Sequence, residues 1–314
     1  MGIGKASVMS PIDWRPSSQQ NNGTVEKNGE KPEELSARMS LFEPQPPKRH
    51  LADLVVTAET DRQLRTALAK IQYHDKLYHD WGLESVHPEG RGMAINLYGP
   101  PGTGKSFAAE AIADHLKQQI IRIDYAQIES RFVGDTPKNI AAAFVAAKET
   151  TSVLFFDEAD SVLSRRATNI TQAADYGVNV SRSTLLLQLD SFEGVVLFAT
   201  NLASNYDPAF VRRILAHVYF PLPDEEALAR LWRYHLPAKL PLQPNVTAEA
   251  LSARSIGLSG GDVLNVVILA AATAVESGET AVSLANFESA LLQVQRSKRE
   301  VGVAFMGDLS NELS

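Results

Sequence analysis

Residues 99–106 read GPPGTGKS: a glycine, four residues, then Gly-Lys-Ser. That spacing is the phosphate-loop pattern, and each residue type in it has a physical task. Gly99, Gly102 and Gly104 carry no Cβ, so successive backbone N–H groups can converge on phosphate oxygens. Pro100, Pro101 and Thr103 complete the loop. Lys105 supplies a mobile ammonium for the β- and γ-phosphates, and Ser106 a hydroxyl ligand for Mg²⁺. With Phe107, which follows directly, these residues form the candidate ATP-binding segment. A second group of chemical side chains comes at residues 153–158, where Val-Leu-Phe-Phe runs into Asp157 and Glu158. Asp157 would hold Mg²⁺ through water, and Glu158 would orient and deprotonate the water that attacks the γ-phosphorus. Asn201, which ends the run Val195 to Thr200, is placed to position that water or touch the γ-phosphate. Each of these has an ordinary reading as well: an acidic helix cap for the Asp-Glu pair, a turn residue for Asn201.

These groups need elements to hold them. Apolar strand candidates are Ala94–Tyr98, Gln119–Asp124, Ser152–Phe156, Val195–Thr200 and His217–Phe220, separated by helical stretches such as 107–116, 137–148 and 181–189. The alternation predicts a parallel sheet covered by helices on both faces. In such a sheet ligands gather at the carboxyl ends of strands, which puts Asp157 and Asn201 on the side of the phosphate loop. The helix that starts at the loop would direct its positive end at the phosphates. After Pro223 the strands stop. Asp224-Glu-Glu opens a helix carrying Leu228, Leu231 and Trp232 on one face, and further helices are predicted over 262–276 and from the N-cap Ser283 to Gln295.

Five motifs in order now carry a family likeness: GPPGTGKS (99–106), VLFFDEAD (153–160), LFATN (197–201), DPAFVRR (207–213) and GLSGGD (257–262). The chain resembles the AAA family of ATPases within the AAA-plus class, over about residues 51–296. The resemblance implies a five-stranded sheet of order 5-1-4-3-2 with a small all-helical lid. It matches Lys105 and Ser106 to the Walker A pair, Asp157 and Glu158 to the Walker B pair, and Asn201 to sensor 1. Arg212 and Arg213 match the paired arginine fingers, which act on the γ-phosphate held by a neighbouring subunit. An arginine's donor fork suits charge spread over equatorial phosphate oxygens. Alone, the pair would read as surface arginines. A finger acting in trans implies a homo-oligomer, a hexameric ring or spiral. Gly260 and Gly261 match the lid segment beside adenine and ribose. Arg131, Phe132, Val133 and Gly134 resemble the first pore loop, which grips an extended polypeptide.

The likeness has departures. Asp53-Leu-Val-Val stands where the family often has Asp-Ile-Xaa-Gly on the adenine side. Ile-Leu-Ala-His217 follows the arginine pair in place of Pro-Gly-Arg-Phe, which is closer in style to the katanin and spastin branch; a bacterial-type member with a short N-terminal part is the other placement. Residues 165–180, at the second pore loop, are unusually polar.

The implied organisation is a tail over 1–50, an α/β nucleotide domain over 51–221, a helical lid over 222–296 and a C-terminal tail from 297. The first 50 residues are rich in Pro, Ser, Gln, Asn, Glu and Lys, with Trp14, Leu41 and Phe42 as the few apolar anchors, and read as a solvated tail or a partner-binding peptide. A net charge of −7 leaves no electrostatic footprint for nucleic acid or anionic membrane. The absence of cysteine excludes a disulfide scaffold and a thiolate site. No apolar run approaches the length of a membrane span, and no signal core or myristoylation pattern opens the chain, so the cytoplasm is expected. His74 and His79 are five apart, not the four of a helical metal pair, and read as solvated. The function implied is an ATP hydrolase that remodels, disassembles or threads a protein substrate. A nucleotide-gated oligomeric scaffold is the alternative, and a kinase sharing only the phosphate loop is disfavoured because the arginine pair and the lid would then be idle.

Overall fold

Strands rich in Val, Ile, Leu and Phe on both faces belong in a sheet covered on both sides, and that is where they lie. The computed structural model describes residues 32–86, 93–124, 136–164, 173–201 and 206–300. The pore-loop candidates 131–134, residues 165–172 of the second pore-loop region, Trp14 and the two chain ends lie outside the described residues. Five strands, β1 (Met93–Tyr98), β2 (Ile120–Asp124), β3 (Val153–Asp157), β4 (Val195–Thr200) and β5 (Ile214–Tyr219), form one sheet of order β2-β3-β4-β1-β5. This is the order the family likeness implies, read from the other edge. The pairs β2–β3 and β3–β4 are parallel, with Asp124 beside Asp157 and Phe156 beside Phe198.

The chain divides into two compact units. The first takes the N-terminal stretch to Ala52, Leu64–Leu97 and Ser106–Val218. Its core lies between the sheet and the helices Thr136–Thr150 and Ala173–Ser191, with Phe144 edge-on to Phe192 at 5.0 Å and Phe156 stacked on Phe198 at 5.3 Å. The helix Pro32–Met39 also belongs here: Leu35 and Met39 pack on this core, Phe42 is buried in it, and Arg38 donates to Asn139 at 2.8 Å. The chain then runs along the free side of β2. Gln45 and Ile120 exchange backbone hydrogen bonds at 2.9 Å, which blunts a sheet edge that would otherwise template aggregation. Lys48 N–H donates to Glu110, Arg49 lies over the Phe107 ring and His50 pairs with Asp114. The last third of the expected tail is thus a strap on the α/β unit, because Phe42 finds its apolar partners inside this chain.

The second unit gathers Asp53–Gln63, Tyr98–Lys105 and the stretch from Tyr219 onward. Its helices are Glu225–His235, Ala248–Ser252, Gly260–Glu276 and Leu284–Glu300. Asp224 caps the first by accepting from Ala227 N at 2.8 Å, and Leu228, Leu231 and Trp232 are its buried face. Trp232 meets Phe287 edge-on at 5.8 Å and donates through Nε1 to Ser255 Oγ at 3.0 Å, so the indole is both packed and satisfied. Val55, in the segment where the family often has a glycine, packs on this helical core. The last helix continues through Ser297, where a tail was expected. Lys298 closes on Asp262 at 2.6 Å and gives that extra turn a partner. No described helix is long and apolar enough to cross a membrane.

Candidate nucleotide-hydrolysis site

The loop at 99–106 joins β1 to the helix Lys105–His115 through backbone that only glycine adopts without strain. Gly99 has φ +144°, and a Cβ there would stand 2.2 Å from the carbonyl oxygen of Phe220. Gly102 has φ +76°, and its Cβ would meet Ser259 Oγ at 2.5 Å. Gly261 N–H donates to Gly102 O at 3.1 Å. Gly260 and Gly261 both approach the backbone of the phosphate loop itself at Gly102. Ser259 and Asp262 form a reciprocal capping box around them. Lys105 is buried, and its ammonium donates to Gly99 O at 2.7 Å and Pro100 O at 2.8 Å. Thr103 Oγ1 donates to Pro100 O at 2.8 Å. Pro100 and Pro101 complete the turn, and Phe107 lies under Arg49 of the strap.

Beyond Lys105 the chain passes into the α/β unit. Ser106 Oγ lies 3.3 and 3.2 Å from the two carboxylate oxygens of Asp157, which ends β3. These are hard oxygen donors, and the pair fits Mg²⁺, an ion that takes one or two protein ligands and fills its octahedron with phosphate oxygens and water. No cluster of three or more His, Cys, Asp or Glu side chains suited to a metal occurs among the described residues. Glu158 is exposed, and its φ of +52° costs about 1 kcal/mol or more for a residue with a Cβ. Its N–H donates to Asp157 Oδ1 at 3.1 Å. A strained residue directly after the candidate cation ligand is a candidate catalytic carboxylate.

Asn201 follows β4 and is half-buried. Its backbone N–H donates to Asp160 Oδ1 at 2.8 Å, and Thr200 Oγ1 also donates to that oxygen. Asp160, the last letter of the DEAD run, thereby ties the end of β4 to the start of the helix after β3. Its role was missed because a third acid in sequence looks like further helix-capping charge.

The DPAFVRR motif also has a local explanation. Asp207 caps the helix Pro208–Arg213 by accepting from Ala209 N at 2.9 Å, Pro208 takes the first turn, and Phe210 is fully buried. The two arginines come last and differ. Arg213 grips Asp190 with Nε and Nη2 at 2.6 and 2.8 Å and donates to Ala209 O at 3.1 Å. Arg212 is exposed and forms no ion pair among the described residues. Arg122 of β2, a lone cation in an apolar strand, was also missed: it donates to Asp157 Oδ2. His79 is exposed beside Glu84, and His74 stacks on Tyr78.

A parallel sheet of this order, with a phosphate loop after β1 and an acidic pair after β3, is the nucleotide-binding fold of P-loop ATPases of the AAA-plus class. Residues 95–222 match the family described as "ATPase family associated with various cellular activities (AAA)". The chain is 30% identical over 262 residues to a 26S proteasome regulatory subunit 8 homolog of Encephalitozoon cuniculi, covering 81% of this chain and 63% of that one. It is 30% identical over 249 residues to the proteasome-activating nucleotidase of Methanopyrus kandleri, covering 77% and 55%. With the 26S proteasome regulatory subunit 8 of Caenorhabditis elegans it shares 31% over 250 residues, 76% and 58%. The chain thus spans between 55% and 63% of the length of these relatives. Their names tie them to the proteasome, so the likeness to katanin and spastin drawn from the residues after Arg213 does not identify the branch. That stretch, Ile214 to His217, is the first part of β5.

Proposed function

We propose that this protein is a Mg²⁺-dependent ATP hydrolase whose subunits act in a homo-oligomeric ring, a hexamer, to remodel or thread a protein substrate. The observation that carries the reading is the pairing of Ser106 with Asp157 next to the strained Glu158, at the start of the helix that Lys105 begins. In this reading the Lys105 ammonium gives up the loop carbonyls for the β- and γ-phosphates, whose oxygens the loop N–H groups also bind. Mg²⁺, when bound, neutralises charge on those phosphates. Glu158 orients and deprotonates the attacking water, and Asn201, its backbone fixed by Asp160, holds that water in place. Arg212, exposed at the end of its helix, reaches the phosphate of a neighbouring protomer. The relatives' names tie them to the proteasome, which favours a polypeptide substrate over the scaffold alternative and a proteasomal over a severing-enzyme lineage. Phe132 and Val133 are the residues assigned to grip that substrate.

Glu158→Gln should keep ATP binding and lower turnover at least about 100-fold, the usual contribution of a general base; normal turnover would remove the role given to this carboxylate. Phe132→Ala should hydrolyse ATP normally while failing to unfold a tagged test protein. Unfolding by that variant at the normal rate would remove the gripping role given to Phe132, and a normal phenotype of the variant in the native pathway would point to the scaffold.

A further inference from the structure

Asp157 already carries a cation. Its Oδ1 accepts Glu158 N–H at 3.1 Å, the Ser106 hydroxyl lies against both oxygens, and Oδ2 accepts a charge-assisted hydrogen bond from Nη2 of Arg122. The parallel register explains the reach. Arg122 stands beside Phe155, two residues before Asp157 on the next strand, and its guanidinium lies 5.7 Å from the centre of the Phe155 ring. The ring and the carboxylate thus hold the guanidinium from two sides. Ile120, Ile121 and Ile123 around it are buried, while the Arg122 side chain is 55% exposed and that of Asp157 only 15%. The core does not require an arginine here; the carboxylate gives it a purpose.

We propose that Arg122 is a built-in counter-ion that competes with the divalent cation for Asp157, so that loading of the cation with nucleotide requires Arg122 to leave Oδ2. The inference rests on the reading of Ser106 and Asp157 as the cation end of an ATP site. The guanidinium and a hydrated cation use the same lone pairs, and like charges a few ångströms apart repel strongly at protein dielectric. An equilibrium between Arg122-bound and cation-ready Asp157 lowers the apparent cation affinity by the fraction of protomers in the second state. The nucleotide-free protomer keeps its carboxylate compensated, and the departing guanidinium makes cation loading a discrete structural event on β2.

The test is a Mg²⁺ titration of fluorescent-ATP binding to the full chain carrying Glu158→Gln, which blocks turnover, with and without Arg122→Gln. Removing Arg122 should lower the half-saturating Mg²⁺ concentration about tenfold, as expected if about nine-tenths of protomers hold the latched form. Affinity in EDTA should be unchanged, and Arg122→Lys, which keeps the charge without the fork, should fall between. An unchanged half-point overturns the proposal. A raised half-point overturns it too, since Arg122 would then hold Asp157 in position for the cation. Thermal unfolding of the apo proteins separates either result from misfolding, and the lysine variant carries the test if the glutamine variant is unstable. Failure of every form to bind nucleotide even at saturating Mg²⁺ would instead overturn the site reading on which the latch depends.

Discussion

Arg212 and Arg213 are adjacent in sequence yet have different surroundings. The fork of Arg213 is committed to both oxygens of Asp190, a geometry that holds the end of its helix. Arg212 is exposed and makes no such pair among the described residues. A finger acting in trans must be available to another protomer, so on the proposed function Arg212 takes the transition-state role and Arg213 the support of its helix. Arg212→Ala should cut ATP turnover about 1,000-fold or more, the usual range for an arginine finger, and leave thermal stability unchanged. Arg213→Ala should cost about fivefold at most, the rate equivalent of about 1 kcal/mol for a surface pair, and Asp190→Asn should reproduce it. Steady-state ATPase assays on all three decide the matter, and a larger loss in Arg213→Ala would reverse the assignment. The arginine pair was legible as a motif, but the division of labour was not, because Asp190 lies 23 residues away and enters only through packing.

At the scale of elements, the helix Pro208–Arg213 shows how six residues present a functional end. A capping aspartate, a proline at the start and one buried phenylalanine fix its position. Phe210→Ala should destabilise the α/β unit by about 3–5 kcal/mol, and Asp207→Ala by about 1 kcal/mol. Urea denaturation followed by circular dichroism measures both, and equal effects would mean that the cap rather than the anchor holds the helix. Strands and helices of strong period were readable in advance to within a few residues, except that β5 starts three residues earlier than expected and the helix Ala173–Ser191 eight residues earlier, inside the stretch read as the second pore-loop region. The strap at 45–50 was not readable. Its composition is that of a solvated tail, and its order comes from distant partners, Ile120, Phe107, Glu110 and Asp114.

Over the whole molecule, three histidines in both units carry a common pH signature. His115, His217 and His235 all have pKa values lowered from 6.5, in each case chiefly by desolvation on burial. A folded-state pKa below the unfolded one means that the unfolded chain binds more protons in the interval between them. The stabilisation is therefore complete above about pH 6.5 and is lost as pH falls through the folded values. Asp262 responds in a more acid range: burial pushes its pKa up, but the hydrogen bonds from Lys298 and Ser259 outweigh this and set it below 3.8, so its contribution is lost only as pH falls beneath that value. Thermal midpoints should be flat from pH 8 to 7 and fall as the pH drops below about 6.5. Replacing the three histidines by glutamine should flatten that fall, and an unchanged slope would assign it to other groups.

The sequence by itself determined the class of chemistry. Phosphate-loop spacing, an apolar strand ending in two acids and the period of the helices are local properties, and backbone geometry reads them the same way in any chain that contains them. Tertiary structure alone decided which groups meet: the Gly261 backbone on that of Gly102, the Asp160 carboxylate at the Asn201 N–H, Asp190 on Arg213 and Arg122 on Asp157. These contacts join residues far apart in sequence, and strand order and register, set by burial of the whole sheet, bring them together.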